Sequence, residues 1–199
     1  MRPRQTFSAI MLKNLWIHCW IKKGQPTMSN TVKIHDLTVT AMMAALIFCG
    51  TFFFKLPSAF GYTHLGDSLL ILSICLLGTK KSMYAGAIGA GLADMIGGYA
   101  VWIVPTFCIK ALYAYTMGSI MHGRFKDFRY SWLVGAIAGG LLQICLYTMC
   151  RVPLYGPEAA LISMPGLTAQ TIFGITIGLT MYGFIKKLSI TEQIISSNK

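Results

Sequence analysis

The chain has 199 residues, of which 55% are hydrophobic and 12% charged, with a mean hydropathy of +0.61. Soluble domains carry about 25% charged residues, and a core of this size cannot bury so much apolar surface, so an ordinary soluble domain is excluded in favour of a polytopic helical membrane protein. The formal charge of +11 does not signal nucleic acid, because the basic residues stand in short clusters between apolar blocks, the pattern of topology determinants.

In chain order, residues 1–27 do not match the rest of the chain. Their apolar part is short, is interrupted by Lys13 and Asn14, and closes on Lys22, Lys23, Gly24 and Pro26 without the small-residue cleavage site of a secretory signal. Two readings stand: an interfacial amphipathic helix, or an upstream extension of a protein whose natural start is Met28, which is preferred. The domain division is then an extension over 1–30, a six-helix membrane domain over 31–190, and a cytoplasmic tail over 191–199.

The fold class is all-α, with six transmembrane spans predicted at about 37–54, 66–78, 82–100, 104–122, 131–150 and 163–187. The second is short against the ~20 residues of a crossing, so it is sunk or tilted, with the loop 61–65 packed on protein. The third is broken late by Gly97 and Gly98. The fourth opens with Pro105, whose missing N–H costs little in a first turn. The "MPG" stretch at 164–166 reads as a turn before the sixth. Lys33, Lys80, Lys81, Arg124, Lys126, Arg129, Lys186 and Lys187 all fall on one side of this even-numbered bundle. The positive-inside rule puts that side, and both termini, in the cytoplasm.

Chemistry concentrates near the opposite side. Asp67, Asp94 and Lys110 each cost roughly 2.5–3.5 kcal/mol if left unpaired within a span, and all three fall in its outer half. An Asp94–Lys110 ion pair that only holds helices together is the plain structural alternative; a polar pocket open to the outside is the functional reading. Tyr62, Thr63 and His64 come from the loop before Asp67, and Tyr99 and Trp102 lie between Asp94 and Lys110. Such aromatics commonly form an interfacial belt. Here they alternate with glycines and flank charges, which suits stacking on a small flat ring with hydrogen-bonding edges. Gln170 on the sixth span joins the candidate set. Gln143, Arg151, Tyr155 and Glu158 are weaker candidates.

No chemical engine is visible. "GTKKS" at 78–82 lacks the upstream glycine of a phosphate loop, and there is no HExxH, GxSxG or paired-carboxylate cleft. The cysteines Cys19, Cys49, Cys75, Cys108, Cys145 and Cys150 show no metal spacing and read as small apolar residues. Neither cofactor nor metal is expected, and the chain is not read as an enzyme.

Four stretches, "TAMMAALI" in the first span, "THLGDSLLIL" entering the second, "GAIGAGLADMIGGY" in the third and "WIVPTFCIKAL" entering the fourth, taken together resemble the substrate-binding S components of energy-coupling factor (ECF) vitamin transporters. The resemblance covers Lys33 to Lys187. It implies a bacterial plasma-membrane subunit that captures a small vitamin outside and delivers it inward with a module of one transmembrane coupling subunit and two cytosolic ATPases. It further implies that Ala41 and Ala45, an AxxxA pair whose small side chains permit close helix contact, face the coupling subunit. By the same resemblance the loop with Tyr62, Thr63 and His64 gates the pocket, and Asp67, Asp94 and Lys110 occupy polar positions at the cavity. The pattern looks most like members assigned to hydroxymethylpyrimidine or pyridoxine, and riboflavin, folate and biotin stay open. A stand-alone facilitator or a membrane-embedded enzyme for a small polar heterocycle is the rival reading.

Overall fold

The computed structural model describes residues 30–197 apart from 59, 60, 126 and 129. The stretch 1–27 lies outside the described residues. The chain divides into two units, Met1–His35 and Asp36–Lys199. Of the first, only the helical residues from Asn30 are described, and every contact below lies within the second.

Among the described residues the chain forms six α-helices and one two-stranded hairpin. Helix α1 (Asn30–Phe52) buries Ala44, Ile47 and Thr51, spaced to fall on one face, and exposes Leu37, Met42 and Leu46. Two glycines let it sit close to its neighbours. A Cβ on Gly89 would lie 2.5 Å from the Ala44 carbonyl oxygen, and one on Gly50 2.6 Å from Leu69 Cδ1. The connection to the second helix is an antiparallel hairpin of β1 (Lys55–Ser58) and β2 (Gly61–His64), with Lys55 opposite His64 and Ser58 opposite Gly61. In sequence this stretch reads only as loop. Pairing its own backbone groups is what non-helical chain at membrane depth requires.

Helix α2 (Gly66–Leu77) has 12 residues and is buried on nearly every side, as a helix apolar over most of its circumference must be. Its polar faces are carried by Asp67, Ser68 and Ser73. Gly78, at φ +82, turns the chain straight into α3 (Thr79–Ile96), a corner that only glycine takes without strain. A 3-10 turn (Ala100–Trp102) leads into α4 (Ile103–Ser119), which unwinds into one π-turn (Ile120–Arg124). Helices α5 (Ser131–Tyr155) and α6 (Pro157–Ser197) complete the set.

The packing order closes on itself: α2 against α3, α3 against α4, α4 against α5, α5 against α6, and α6 back against α2, with β2 also resting on α6. Close approaches are again made by glycine, Gly86 on Leu70, Gly139 on Tyr113, and Gly174 and Gly178 on Asp67, Ser68 and Ile71. The larger apolar core, built on Leu70, Ile71, Ile74, Tyr113 and Met117, fills one half of the ring. A smaller one of Ile109, Tyr147 and Leu167 packs with Trp102, Ile144, Leu146 and Cys150. Among the described residues, four helical segments are long and apolar enough to cross a membrane: Ile34–Phe52, Ala100–Gly123, Ser131–Tyr155 and Pro157–Leu188.

Several expected boundaries are corrected, among them the end of the sixth helix, which runs past 187 to Ser197. The fifth helix runs five residues past 150, to Tyr155, and the sixth begins at Pro157 rather than 163. The Met164–Gly166 stretch is therefore helical. Pro165 removes only the backbone bond to the Leu161 carbonyl, and apolar packing carries the helix through. The break falls instead at Gly156, with φ +87, and Pro157 takes the first helical position that suits its fixed φ. The third helix likewise starts earlier, at Thr79, and stops at Ile96.

Candidate functional site

At the end of the bundle that carries the hairpin, α3, α4, α5 and α6 enclose a cavity of about 330 Å3, within the roughly 300–1,000 Å3 range of small-molecule sites. Its lining follows three- and four-residue steps along each helix. On and just before α4 stand Trp102, Thr106 and Lys110; on α5, Tyr147, Arg151 and Tyr155; on α6, Ala159, Ser163, Leu167 and Gln170. Residues four apart share a helix face, so each helix presents one stripe. His64 closes the hairpin side, and Asp94 and Tyr99 close the side of α3.

The floor is a polar network. Lys110 Nζ donates to Asp67 Oδ1 and, at 2.8 Å, to Gln143 Oε1. Gln143 Nε2 donates to Asp67 Oδ2 at 3.0 Å, and Gln170 Nε2 donates to the same oxygen at 2.9 Å while lying 3.2 Å from His64 Nε2. The ion pair is buried, its side chains 3% exposed each. Taking two charges out of water costs several kcal/mol per ion, offset by further hydrogen bonds; Gln143 and Gln170 both donate to Asp67 Oδ2, and Gln143 accepts from Lys110. Asp67 thus stands behind the cavity wall, while Lys110 and Gln170 stand on it.

The side walls are aromatic. Trp102 and Tyr155 stack at 6.1 Å with 18° between ring planes, and the indole Nε1 donates to the Tyr155 hydroxyl at 3.1 Å. Tyr147 lies 5.9 Å from Trp102, donates to Thr106 Oγ1 at 3.3 Å, and has Lys110 Nζ 5.6 Å above its ring. The Arg151 guanidinium covers Trp102 at 5.6 Å.

Of the residues expected at a site, His64, Asp94, Tyr99, Trp102, Lys110 and Gln170 line this one hollow. Asp67 does not line it, because its two oxygens are taken up by Lys110, Gln143 and Gln170. The ion pair of Lys110 is made with Asp67, whereas Asp94 lies on the wall. For Tyr62 the backbone is paired with Pro57, and its side chain lies outside the described residues. Among the weaker candidates Arg151 and Tyr155 line the cavity, since α5 extends to them, while Glu158 is exposed on the first turn of α6 away from it. Tyr147, Thr106, Thr51 and Ser163 also line it, and none of them stands out in the sequence. The i, i+4 ladder Gln143–Tyr147–Arg151–Tyr155 is the signal that points to Tyr147.

Ala41 and Ala45 are exposed and line a separate apolar groove between α1 and α3, together with Phe48, Tyr84, Ile88 and Leu92. Asp36 and Lys81 pair at 2.6 Å at its end.

Comparison with known proteins places this architecture. Residues 31–187 match the family described as ECF-type riboflavin transporter, S component. A protein of Pyrococcus woesei, known as the uncharacterized protein in gap 3'region, is 30% identical over 151 residues, 76% of this chain and 95% of that protein. A chain solved in work on the structure and mechanism of the S component of a bacterial ECF transporter superposes with a TM-score of 0.65, covering 78% of this chain and 98% of its own; at 18% identity this likeness is one of fold. The chain belongs to the ECF-type riboflavin transporter S component family: it is a multi-pass protein of the cell membrane and a substrate-binding subunit of ECF transporters, not an enzyme.

Proposed function

We propose that the chain captures a flat N-heterocyclic vitamin from outside the cell in the cavity between α3, α4, α5 and α6, with riboflavin the first candidate. The observation that carries this reading is a single hollow combining a paired ionic floor, Lys110 with Asp67, and an aromatic wall of Trp102, Tyr147 and Tyr155. A family of riboflavin S components supports the flavin, and so does the room available, which exceeds what one six-membered ring would fill. Hydroxymethylpyrimidine and pyridoxine, expected from the sequence, are the second arms of the same test. His64, Asp94, Tyr99, Trp102, Lys110 and Gln170 are the proposed contacts, and Asp67 is a positioning residue.

Six membrane-crossing helices with both termini in the cytoplasm are part of this reading. The supporting feature is the polarity of the bundle. Lys80 and Lys81 begin α3 while the cavity lies at its other end, and Lys186 and Lys187 lie far along α6 from Gln170. Delivery inward then rests on docking to one transmembrane coupling subunit served by two cytosolic ATPases, with the exposed Ala41 and Ala45 face as the contact.

Isothermal titration of the detergent-purified protein with riboflavin, hydroxymethylpyrimidine and pyridoxine tests capture. Nanomolar binding of one of them is expected, and absence of heat with all three refutes it. Uptake by the chain alone in liposomes, without any ATPase, would establish the rival facilitator.

A further inference from the structure

The floor of the cavity has a polarity that its own hydrogen bonds dictate. A carboxylate only accepts, so the Gln170 atom 2.9 Å from Asp67 Oδ2 must be the amide nitrogen. That same nitrogen also faces His64 Nε2. The amide oxygen is therefore turned away from both. Gln170 lines the cavity, and among the described residues its Oε1 receives no hydrogen bond and is not a sealed atom. It is an acceptor offered to the hollow.

Lys110 offers the opposite. Its ammonium has three protons; one goes to Asp67 Oδ1 and one to Gln143 Oε1. The third is given to no hydrogen-bond acceptor among the described residues, with the Tyr147 ring 5.6 Å away, and Lys110 lines the cavity. Donor and acceptor hang on the two oxygens of one carboxylate, so they are held side by side. The Lys110 charge is already balanced by Asp67, and Asp94 adds a carboxylate to the wall. At this floor an anionic ligand edge, which can only accept, would meet the Gln170 oxygen unpaired, while the wall carries Asp94 and Arg151 as charges of opposite sign.

We propose that this floor reads a neutral ligand edge in which an acceptor adjoins an N–H donor, the acceptor on Lys110 and the N–H on Gln170 Oε1, with the ring lying against Trp102 and Tyr147. The proposal rests on the vitamin-capture reading above and names its chemical class: a cyclic amide, imide or aminopyrimidine. The imide of riboflavin has this edge, as does the ring nitrogen beside the amino group of hydroxymethylpyrimidine. Pyridoxine does not.

The test is a titration of the wild-type protein with riboflavin, with riboflavin methylated on its imide nitrogen, and with pyridoxine. Methylation leaves the ring faces intact, removes the N–H and sets a methyl group in its place, so affinity is expected to fall at least roughly 10- to 100-fold, the loss for a buried acceptor left unmade. In Gln170→Ala, which loses the acceptor and makes room for the methyl group, the gap between the two flavins is expected to close to within about threefold by the same logic. Equal binding of both flavins to the wild type, or an unchanged gap in Gln170→Ala, overturns the edge while leaving capture intact. So does pyridoxine binding tighter than riboflavin. Silence from all three, and from hydroxymethylpyrimidine, overturns capture itself.

Discussion

Asp67 shows how one side chain can govern a site it does not line. Its carboxylate orients Lys110, Gln143 and Gln170 together, so its removal acts twice. Asp67→Asn leaves a buried ammonium without a counter-charge, and the expected loss is about 3–5 kcal/mol of stability, read as a lowered thermal midpoint or lost yield in detergent. Asp67→Asn combined with Lys110→Met should regain the midpoint and still fail to bind ligand. Recovery of binding in the double variant would show that the pair is only a strut. Trp102→Ala separates the two roles from the other side. Stacking on an aromatic is worth about 1–3 kcal/mol, so titration should show a Kd raised roughly 10- to 100-fold, with little change in thermal midpoint because Trp102 is only half-buried at the cavity wall. The ionisable residues are legible in the sequence because charge inside an apolar block is costly wherever it occurs. Their pairing is not. Lys110 finds Asp67, 43 positions away, rather than Asp94, and sequence distance carries no information about which of two carboxylates a fold brings to a lysine.

Among the elements, apolar runs locate the six helices well, and the errors gather where proline and glycine have to be weighed. Met164–Gly166 has the composition of a turn, yet Pro165 lies inside α6, because packing on both sides outweighs one missing backbone bond. The hairpin from Lys55 to His64 is hidden in the sequence, since eight paired residues with a proline among them lack the alternation that marks a strand. Helix–helix contact supplies its own tests. A methyl on Gly89 would press on the Ala44 carbonyl oxygen at 2.5 Å, so Gly89→Ala is expected to cost about 1–3 kcal/mol, visible as a lower thermal midpoint. Ala41→Trp or Ala45→Trp on the exposed face of α1 should leave titration with riboflavin unchanged and abolish uptake by cells that supply the ATPase module. Equal loss of both activities would assign that face to packing within the subunit.

For the molecule as a whole, the ring of helices has a chemical direction, with the cavity at one end and the lysine clusters at the other. That direction yields an expectation about sidedness. In cells, a cysteine introduced as Tyr155→Cys at the exposed cavity rim should react with a membrane-impermeant maleimide added outside. One introduced as Lys80→Cys should react only after lysis. The opposite result would invert the orientation and with it the capture of ligand from outside.

The brevity of α2 has a further consequence. Twelve residues rise about 18 Å, well short of a hydrocarbon layer about 30 Å thick, and the hairpin stands in sequence where the rest of a crossing would be. Neighbouring helices cover α2 itself, so in the six-span reading proposed above the mismatch falls on the hairpin end of the subunit, where lipid thins or the subunit leans at modest cost per ångström. Acyl-chain length thereby becomes a control on ligand entry: long-chain vesicles should slow association relative to short-chain ones and leave the dissociation rate of a bound vitamin unaltered.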